Sequence, residues 1–343
     1  MSRNLRSDSV YPAVAAELRN RILSGELTGA LPGVQLLAKE LNVNFMTVDK
    51  ALNLLAEEGH VHRVPRKGTF VSKLRTIALV MQKLDSSIYH IPIYMQLTTR
   101  LQEALSKRHC ALVLFDLSTA DEHQAVMLAR RVDALVVVGG DQQLPEALRK
   151  LPAVSLLGPI GQAGAIDQFT YDSDLVGKIA ADYLATQNCR RMIYLSLKRG
   201  PATALRQDAF LKRAGELGVA AQAFHDLDDS NDFFGAVWTL LQKWEASHFE
   251  ATGIFASNDQ TAMIATNYLL LNGKRPNRDC FVIGCNNSGD NSLPPELRPA
   301  SIDLNMTSMI NAAVNRLFRR IDHIELPTTI EIVKPFLIKG GIL

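Results

Sequence analysis

Residues 11–71, YPAVAAELRNRILSGELTGALPGVQLLAKELNVNFMTVDKALNLLAEEGHVHRVPRKGTFV, carry three short apolar stripes at helical spacing and then a basic hairpin. From Thr76 the pattern changes to continuous apolar runs of strand length that alternate with amphipathic helices. A chain with that break folds as two units of different class, a small helical one and a large α/β one. The spacing predicts a first helix from Tyr11 to Ser24, with Ser9 as N-cap, Pro12 in the first turn and Gly25 at its end. Val14, Leu18 and Ile22 form its buried stripe. A short second helix has Leu36, Leu37 and Leu41 apolar. A third runs from Phe45 to Glu58, capped by Asn44, with Val48, Leu52 and Leu55 inward. HVHRV and TFVS then read as two strands joined by Pro65-Arg66-Lys67-Gly68.

Three helices and a basic wing are the layout of a winged helix-turn-helix, which places its third helix in the DNA major groove. Two cations and a glycine at a hairpin tip suit backbone or minor-groove phosphate. The charge distribution agrees. Residues 1–75 hold 11 Lys/Arg against 7 Asp/Glu, while the remainder holds 26 against 28. A modestly basic small unit on a near-neutral large one fits phosphate contact at one end.

The segment resembles the gluconate-repressor (GntR) family of winged helix-turn-helix domains. The matching residues are Tyr11, Ile22-Leu23-Ser24-Gly25, Leu31-Pro32, Leu37-Ala38, Leu41-x-Val43, Thr47-Val48, Ala51-Leu52, Glu58-Gly59 and Gly68-Thr69-Phe70-Val71. Three positions depart from it: Gln35, Phe45 and Asp49 stand where that family usually carries arginines. The resemblance, less those arginines, leaves Gln35, Asn44, Phe45, Thr47, Lys50 and Asn53 as candidate contacts from the helices, with Arg66, Lys67 and Gly68 from the wing. Asp49 would be repelled by phosphate or would accept from a cytosine amino group.

In the larger unit TIALVMQ, CALVLFDL, ALVVVGG, LPAVSLLG, RMIYLSL, ATGIFASN and CFVIGCN read as buried strands. Such runs between helices imply parallel sheets covered on both faces, and the length suits two lobes. Ligands of such sheets sit beyond the carboxyl ends of the strands. This half resembles the ligand-binding core of the lactose-repressor (LacI) family, related to periplasmic sugar-binding proteins. The carrying residues are Tyr171-Asp172 with Gly177 and Ala180, Arg206 with Ala209-Phe210, Ser257-Asn258-Asp259 with Ala262, Ile283-Gly284-Cys285-Asn286-Asn287, and Leu293-Pro294-Pro295 followed by Arg298-Pro299-Ala300-Ser301-Ile302. The resemblance implies a sugar-like effector held by planar hydrogen-bonding groups and an aromatic face. Arg206, Asp172, Asn258 and Asn286 are the candidate polar contacts, and Tyr94 or Phe169 the candidate ring. Asn286 replaces an aspartate of that family, so either an acidic effector or one whose hydroxyl pattern differs from that of the usual hexoses is expected. Asp259 is also a candidate cap for a helix starting near Gln260.

The expected architecture is therefore α/β: an N-terminal winged helix-turn-helix over 1–72 and a two-lobed, type I periplasmic-binding-protein-like domain over 73–343, the linker at about 72–76, an arabinose-repressor-like plan. The expected function is a ligand-responsive regulator, a repressor, that binds double-stranded operator DNA as a homodimer. The alternative is a DNA-binding regulator with a vestigial or non-sugar-sensing C-terminal domain. No P-loop, dinucleotide fingerprint, nucleophile elbow or His-Glu-x-x-His stretch is present, so neither an enzyme, nor catalytic residues, nor a cofactor is expected. Cys110, Cys189, Cys280 and Cys285 lack paired C-x-x-C spacing, which favours buried thiols over a metal site. The N-terminus has no apolar h-region and no run approaches the roughly 20 residues of a membrane span; a cytoplasmic protein without membrane contact is expected.

Overall fold

The computed structural model describes residues 10–72, 75–82, 92–139, 144–158, 166–197, 200–225, 232–289, 293–323 and 325–340. The first unit comprises α1 (Tyr11–Leu23), α2 (Val34–Glu40), α3 (Phe45–Glu57), β1 (Val61–Val64) and β2 (Gly68–Val71). Leu18, Leu37, Leu52 and Leu55 meet in its core, fully buried, each side chain contributing about 1.5–3 kcal/mol. Gly25, with φ +79°, ends α1 one residue after Ser24. The residue before α1 is Val10, which offers no side-chain cap; the expected cap Ser9 lies outside the described residues. Leu36 departs from expectation. It is 59% exposed because α2 is only seven residues long and turns Leu37 and Ala38, not their neighbour, toward the core. β1 and β2 pair antiparallel, Val61 opposite Val71 and Val64 opposite Gly68, around a turn in which Arg66 and Gly68 adopt positive φ.

The second unit begins with β3 (Arg75–Gln82), α4 (Pro92–Ser106), β4 (Cys110–Asp116), α5 (Glu122–Ala129), β5 (Ala134–Gly139), α6 (Glu146–Arg149), β6 (Ala153–Leu156) and β7 (Asp167–Tyr171). The chain then crosses into α7 (Ser173–Thr186), β8 (Arg191–Ser196), α8 (Pro201–Glu216), β9 (Ala220–His225), α9 (Phe233–Ala246), β10 (Gly253–Ala256), α10 (Asp259–Leu271) and β11 (Phe281–Ile283). It returns through a 3-10 turn (Pro295–Leu297), β12 (Ser301–Asp303), α11 (Met306–Asp322), β13 (Ile330–Val333) and β14 (Phe336–Ile338). Two parallel sheets result, a six-stranded one ordered β13-β7-β6-β5-β3-β4 and a four-stranded one ordered β11-β10-β8-β9. β12 and β14 pair antiparallel between them, and Ala300 bridges to Ile283 at the edge of the smaller sheet.

Each sheet is buried on both faces, as its apolar runs require. Along β3, Ile77, Leu79 and Met81 join one core, while Ala78 and Val80 join another on the opposite face. The lobe built on the six-stranded sheet, the N-lobe, as against the C-lobe on the four-stranded one, is closed by α11, whose Arg316 and Arg320 converge on the fully buried Asp167 of β7 at 3.0 and 2.6 Å. The four cysteines are buried and unpaired, and burial pushes the thiols of Cys280 and Cys285 up to about 12 and about 11. Among the described residues no helix is long and apolar enough to cross a membrane.

Candidate nucleic-acid interface and ligand cleft

α3 presents Phe45, Met46, Lys50 and Asn53 outward, and Gln35 lies exposed on α2 beside them. The Asn44 Oδ1 accepts from the Met46 N–H at 2.9 Å, so its carbonyl is used as the helix cap. Thr47, expected to face DNA, is 5% exposed. It shares the inner face of α3 with Ala51 and Leu55, because residues four apart stack on one side of a helix. Arg66, Lys67 and Gly68 stand exposed at the wing tip.

One feature of this face escaped the pattern reading. Arg63 of β1 reaches across to α3, donating from Nη1 to Asn53 Oδ1 at 2.7 Å and from Nη2 to Asp49 Oδ1. The carboxylate of Asp49 is thereby answered by a cation from the wing, and a guanidinium lies on the reading helix although α3 itself contains no arginine. Residues 49 and 63 are 14 apart in the chain; only the fold of wing onto helix brings them together.

The second candidate site lies where the strands of both lobes end. Arg206, on the second turn of α8, donates from Nη1 to the Ser257 carbonyl at 2.9 Å, just after β10. It donates from Nη2 to the Tyr171 hydroxyl at 2.6 Å, at the end of β7. One guanidinium thus ties the carboxyl end of an N-lobe strand to that of a C-lobe strand, and its centre stands 5.2 Å from the Tyr171 ring centroid. Glycine at 177 sets how close α7 approaches α8. A Cβ there would fall 2.2 Å from the Arg206 carbonyl oxygen, so any larger residue would part the two helices.

Two further candidates act as caps. Asp172 accepts from the Leu175 N–H at 2.9 Å and starts α7; Asn258 accepts from the Thr261 N–H at 2.9 Å and starts α10. Asp259, expected to cap that helix, does not. Its carboxylate accepts from the Ser288 N–H and the Ser301 hydroxyl, both at 2.6 Å. Burial, set against those two hydrogen bonds, raises Asp259 to about 6. The Asn286 N–H donates to the Ile302 carbonyl, its φ is +103°, and its Oδ1 is buried without a partner.

The aromatic expectation divides. Phe169 is 1% exposed, since β7 lies inside the sheet between β13 and β6 and both its faces are covered; it offers no ring to a ligand. Tyr94, on the first turn of α4, is half-buried, and its phenol is held above its usual range by burial and by the neighbouring Tyr171. Gln96 was not expected. Its Nε2 donates to the Asn287 carbonyl at 2.9 Å, joining α4 of the N-lobe to the loop after β11, while its Oε1 is buried and unpartnered. Asn287 in turn donates to Asp303 at 2.8 Å. Nothing in the spacing of α4 distinguishes Gln96 from a solvated helix residue.

The comparisons agree with both halves. The family description "Bacterial regulatory proteins, gntR family" matches residues 10–71, and "Periplasmic binding protein-like domain" matches residues 181–341. An HTH-type transcriptional regulator of Lachnoclostridium phytofermentans is 21% identical over 87% of this chain and 91% of its own. The transcriptional regulator CelR in its cellobiose complex superposes with TM-score 0.63 at 18% identity, covering 91% of this chain and 99% of that one. A LacI family transcriptional regulator from Arthrobacter sp. FB24, solved with lactose, gives TM-score 0.65 at 21% identity, with 78% and 99% covered. Fold and matches together define a DNA-binding transcriptional regulator. Its reader is a gntR-family helix-turn-helix domain at the N-terminus, joined to a periplasmic-binding-protein-like domain.

Proposed function

We propose that this regulator senses a sugar or sugar derivative between its two lobes and changes its grip on operator DNA in response. The observation that carries the reading is the Arg206 bridge. A buried fork donor joins Tyr171 of one lobe to Ser257 of the other, where ligands of parallel sheets are held. The solved neighbours named with cellobiose and lactose share this fold and support the sugar class. In this reading residues 1–72 are the reader and 73–343 the sensor, joined through the short stretch at 72–76. Asp172, Asn258, Asn286 and Tyr94 line the cleft with Arg206, and no catalytic step or cofactor is involved. Effector binding favours one lobe arrangement over another, and operator affinity shifts by the difference.

On the DNA, α3 enters the major groove with Lys50, Asn53 and Gln35 toward bases and phosphates. Phe45 and Met46 bring apolar surface of the kind that meets thymine methyls. Arg66, Lys67 and Gly68 follow the backbone. The protein acts as a homodimeric repressor in the cytoplasm, each copy reading one half-site. The edge strand β4 of the larger sheet, with no strand beside it among the described residues, exposes Val113 and Leu114, and supports pairing of two copies there.

The test is a thermal-shift panel of sugars and sugar derivatives, followed by operator binding with and without each hit. A binder stabilises the protein by about RT ln(1 + [L]/Kd). Arg206→Lys is expected to abolish the effector response of DNA binding while leaving effector-free DNA binding intact. Loss of both would make Arg206 a purely structural residue and overturn its assignment to the cleft.

A further inference from the structure

Arg206 is 4% exposed, yet among the described residues no carboxylate lies within ion-pairing distance of it. Its two acceptors, the Ser257 carbonyl and the Tyr171 hydroxyl, are neutral, and its Nε–H has no partner. Burying a cation without a counter-charge is costly. The same chain avoids that cost in its other buried arginine cluster, where Arg316 and Arg320 share Asp167. The acids at this end of the sheets accept hydrogen bonds elsewhere, Asp172 from the Leu175 N–H among them. Asp259 accepts from Ser288 and Ser301, and Asp303 accepts from Asn287 and from the Asn305 N–H.

Two of the other buried polar atoms without partners are acceptors that belong to this end of the sheets. The Asn286 Oδ1 and the Gln96 Oε1 are buried acceptors without donors. Gln96 is anchored to Asn287, next to Asn286 in the chain. Asn286 itself follows Cys285, whose carbonyl accepts from Asp259, two residues beyond Ser257. Both amide oxygens therefore belong to the same end of the strands as the guanidinium. They call for hydroxyl hydrogens, and Arg206 calls for negative charge.

We propose that the effector is a hydroxylated anion, its carboxylate or phosphate seated on Arg206 and its hydroxyls donating to Asn286 and Gln96. This rests on the sensor reading above. A neutral sugar would satisfy the amides and leave the buried cation unanswered. An acid places its charge where no carboxylate of the described residues pairs with the cation, and the neutral amide at 286 adds no repulsion to it.

The experiment is isothermal titration of the full-length protein with D-gluconate, D-galactonate and L-arabinonate, with the 6-phosphates of glucose and galactose, and with the three parent sugars. At least one anion is expected to bind about tenfold or more tighter than its own parent. The aldonate and phosphate arms tell which anionic group is taken. Asn286→Asp, nearly isosteric, is expected to weaken that anion about tenfold or more while the melting temperature holds. A parent sugar that binds as tightly as its acid and its phosphate overturns the charge assignment and leaves the sugar sensor standing. Silence from all eight compounds, with DNA binding intact, overturns both. Anion binding that neither Asn286→Asp nor Arg206→Lys disturbs belongs to another site and also overturns the proposal.

Discussion

Arg63 illustrates how one residue acquires a role from its partners. On a strand of alternating pattern it reads as a solvent-facing cation. Held by Asn53 and Asp49, it becomes part of the outer face of α3. A half-exposed ion pair of this kind contributes under about 1 kcal/mol to stability, so its larger effect is to place charge. Arg63→Ala is expected to weaken operator binding by about 1–3 kcal/mol with discrimination between sequences reduced. Arg66→Ala is expected to weaken all sequences alike and to lower the salt slope by about one. Fluorescence anisotropy across a salt series on operator and scrambled DNA separates the two; equal loss on both sequences for Arg63→Ala would remove it from base recognition. Thr47 shows the reverse movement, from expected DNA contact to helix interior, because a motif match gives position in the chain and not the direction of a side chain.

At the scale of elements, long apolar strands were legible and polar ones were not. β3, β5 and β10 follow from continuous hydrophobic runs. β7, DQFTY, does not look like a central strand, yet Asp167 and Gln168 are buried in it. Its polarity is explained only by α11, which brings Arg316 and Arg320 from some 150 residues away to answer the carboxylate. Burial alone would raise the pKa of Asp167, but hydrogen bonds from Arg320, Arg316 and the Thr329 N–H outweigh it and hold the carboxyl below its ordinary range. The folded state therefore favours the charged form. Its contribution is fully present above the unfolded pKa of about 4 and is lost as pH falls through the lower folded value. Asp167→Ala removes the buried carboxylate that both guanidinium groups meet and is expected to cost about 3–5 kcal/mol, read from urea unfolding at neutral pH. A loss well below that, with no flattening of the acid limb, would mean the cluster is solvated in solution.

For the whole molecule, the helix-turn-helix unit touches the α/β unit. The His109 ring lies over Gly59, where a Cβ would come within 1.9 Å of it, and the His60 and His109 ring centroids are 6.4 Å apart. The first unit therefore contacts the second at Gly59 and His60. The proposed homodimer belongs to this scale too. Leu114 is 53% exposed on the edge strand β4, whose outer side pairs with no other strand among the described residues. Leu114→Glu is expected to shift sedimentation toward the monomer and, with it, to reduce operator affinity, since two half-sites are then no longer held together. A dimer untouched by the change would place the interface elsewhere.

Periodicity and turn residues in the chain were enough for the three helices, the wing and the parallel α/β plan. Each depends on neighbours within about one turn, one strand or one motif, and local preference is written in the sequence directly. Tertiary structure alone decided that Phe169 is core, that Asn258 rather than Asp259 caps α10, that Gln96 meets the loop after β11 and that, among the described residues, no carboxylate pairs with Arg206. Those are facts about groups far apart in the chain and close in space. Burial and pairing depend on what the whole fold brings alongside a residue, and residue type and spacing do not encode that.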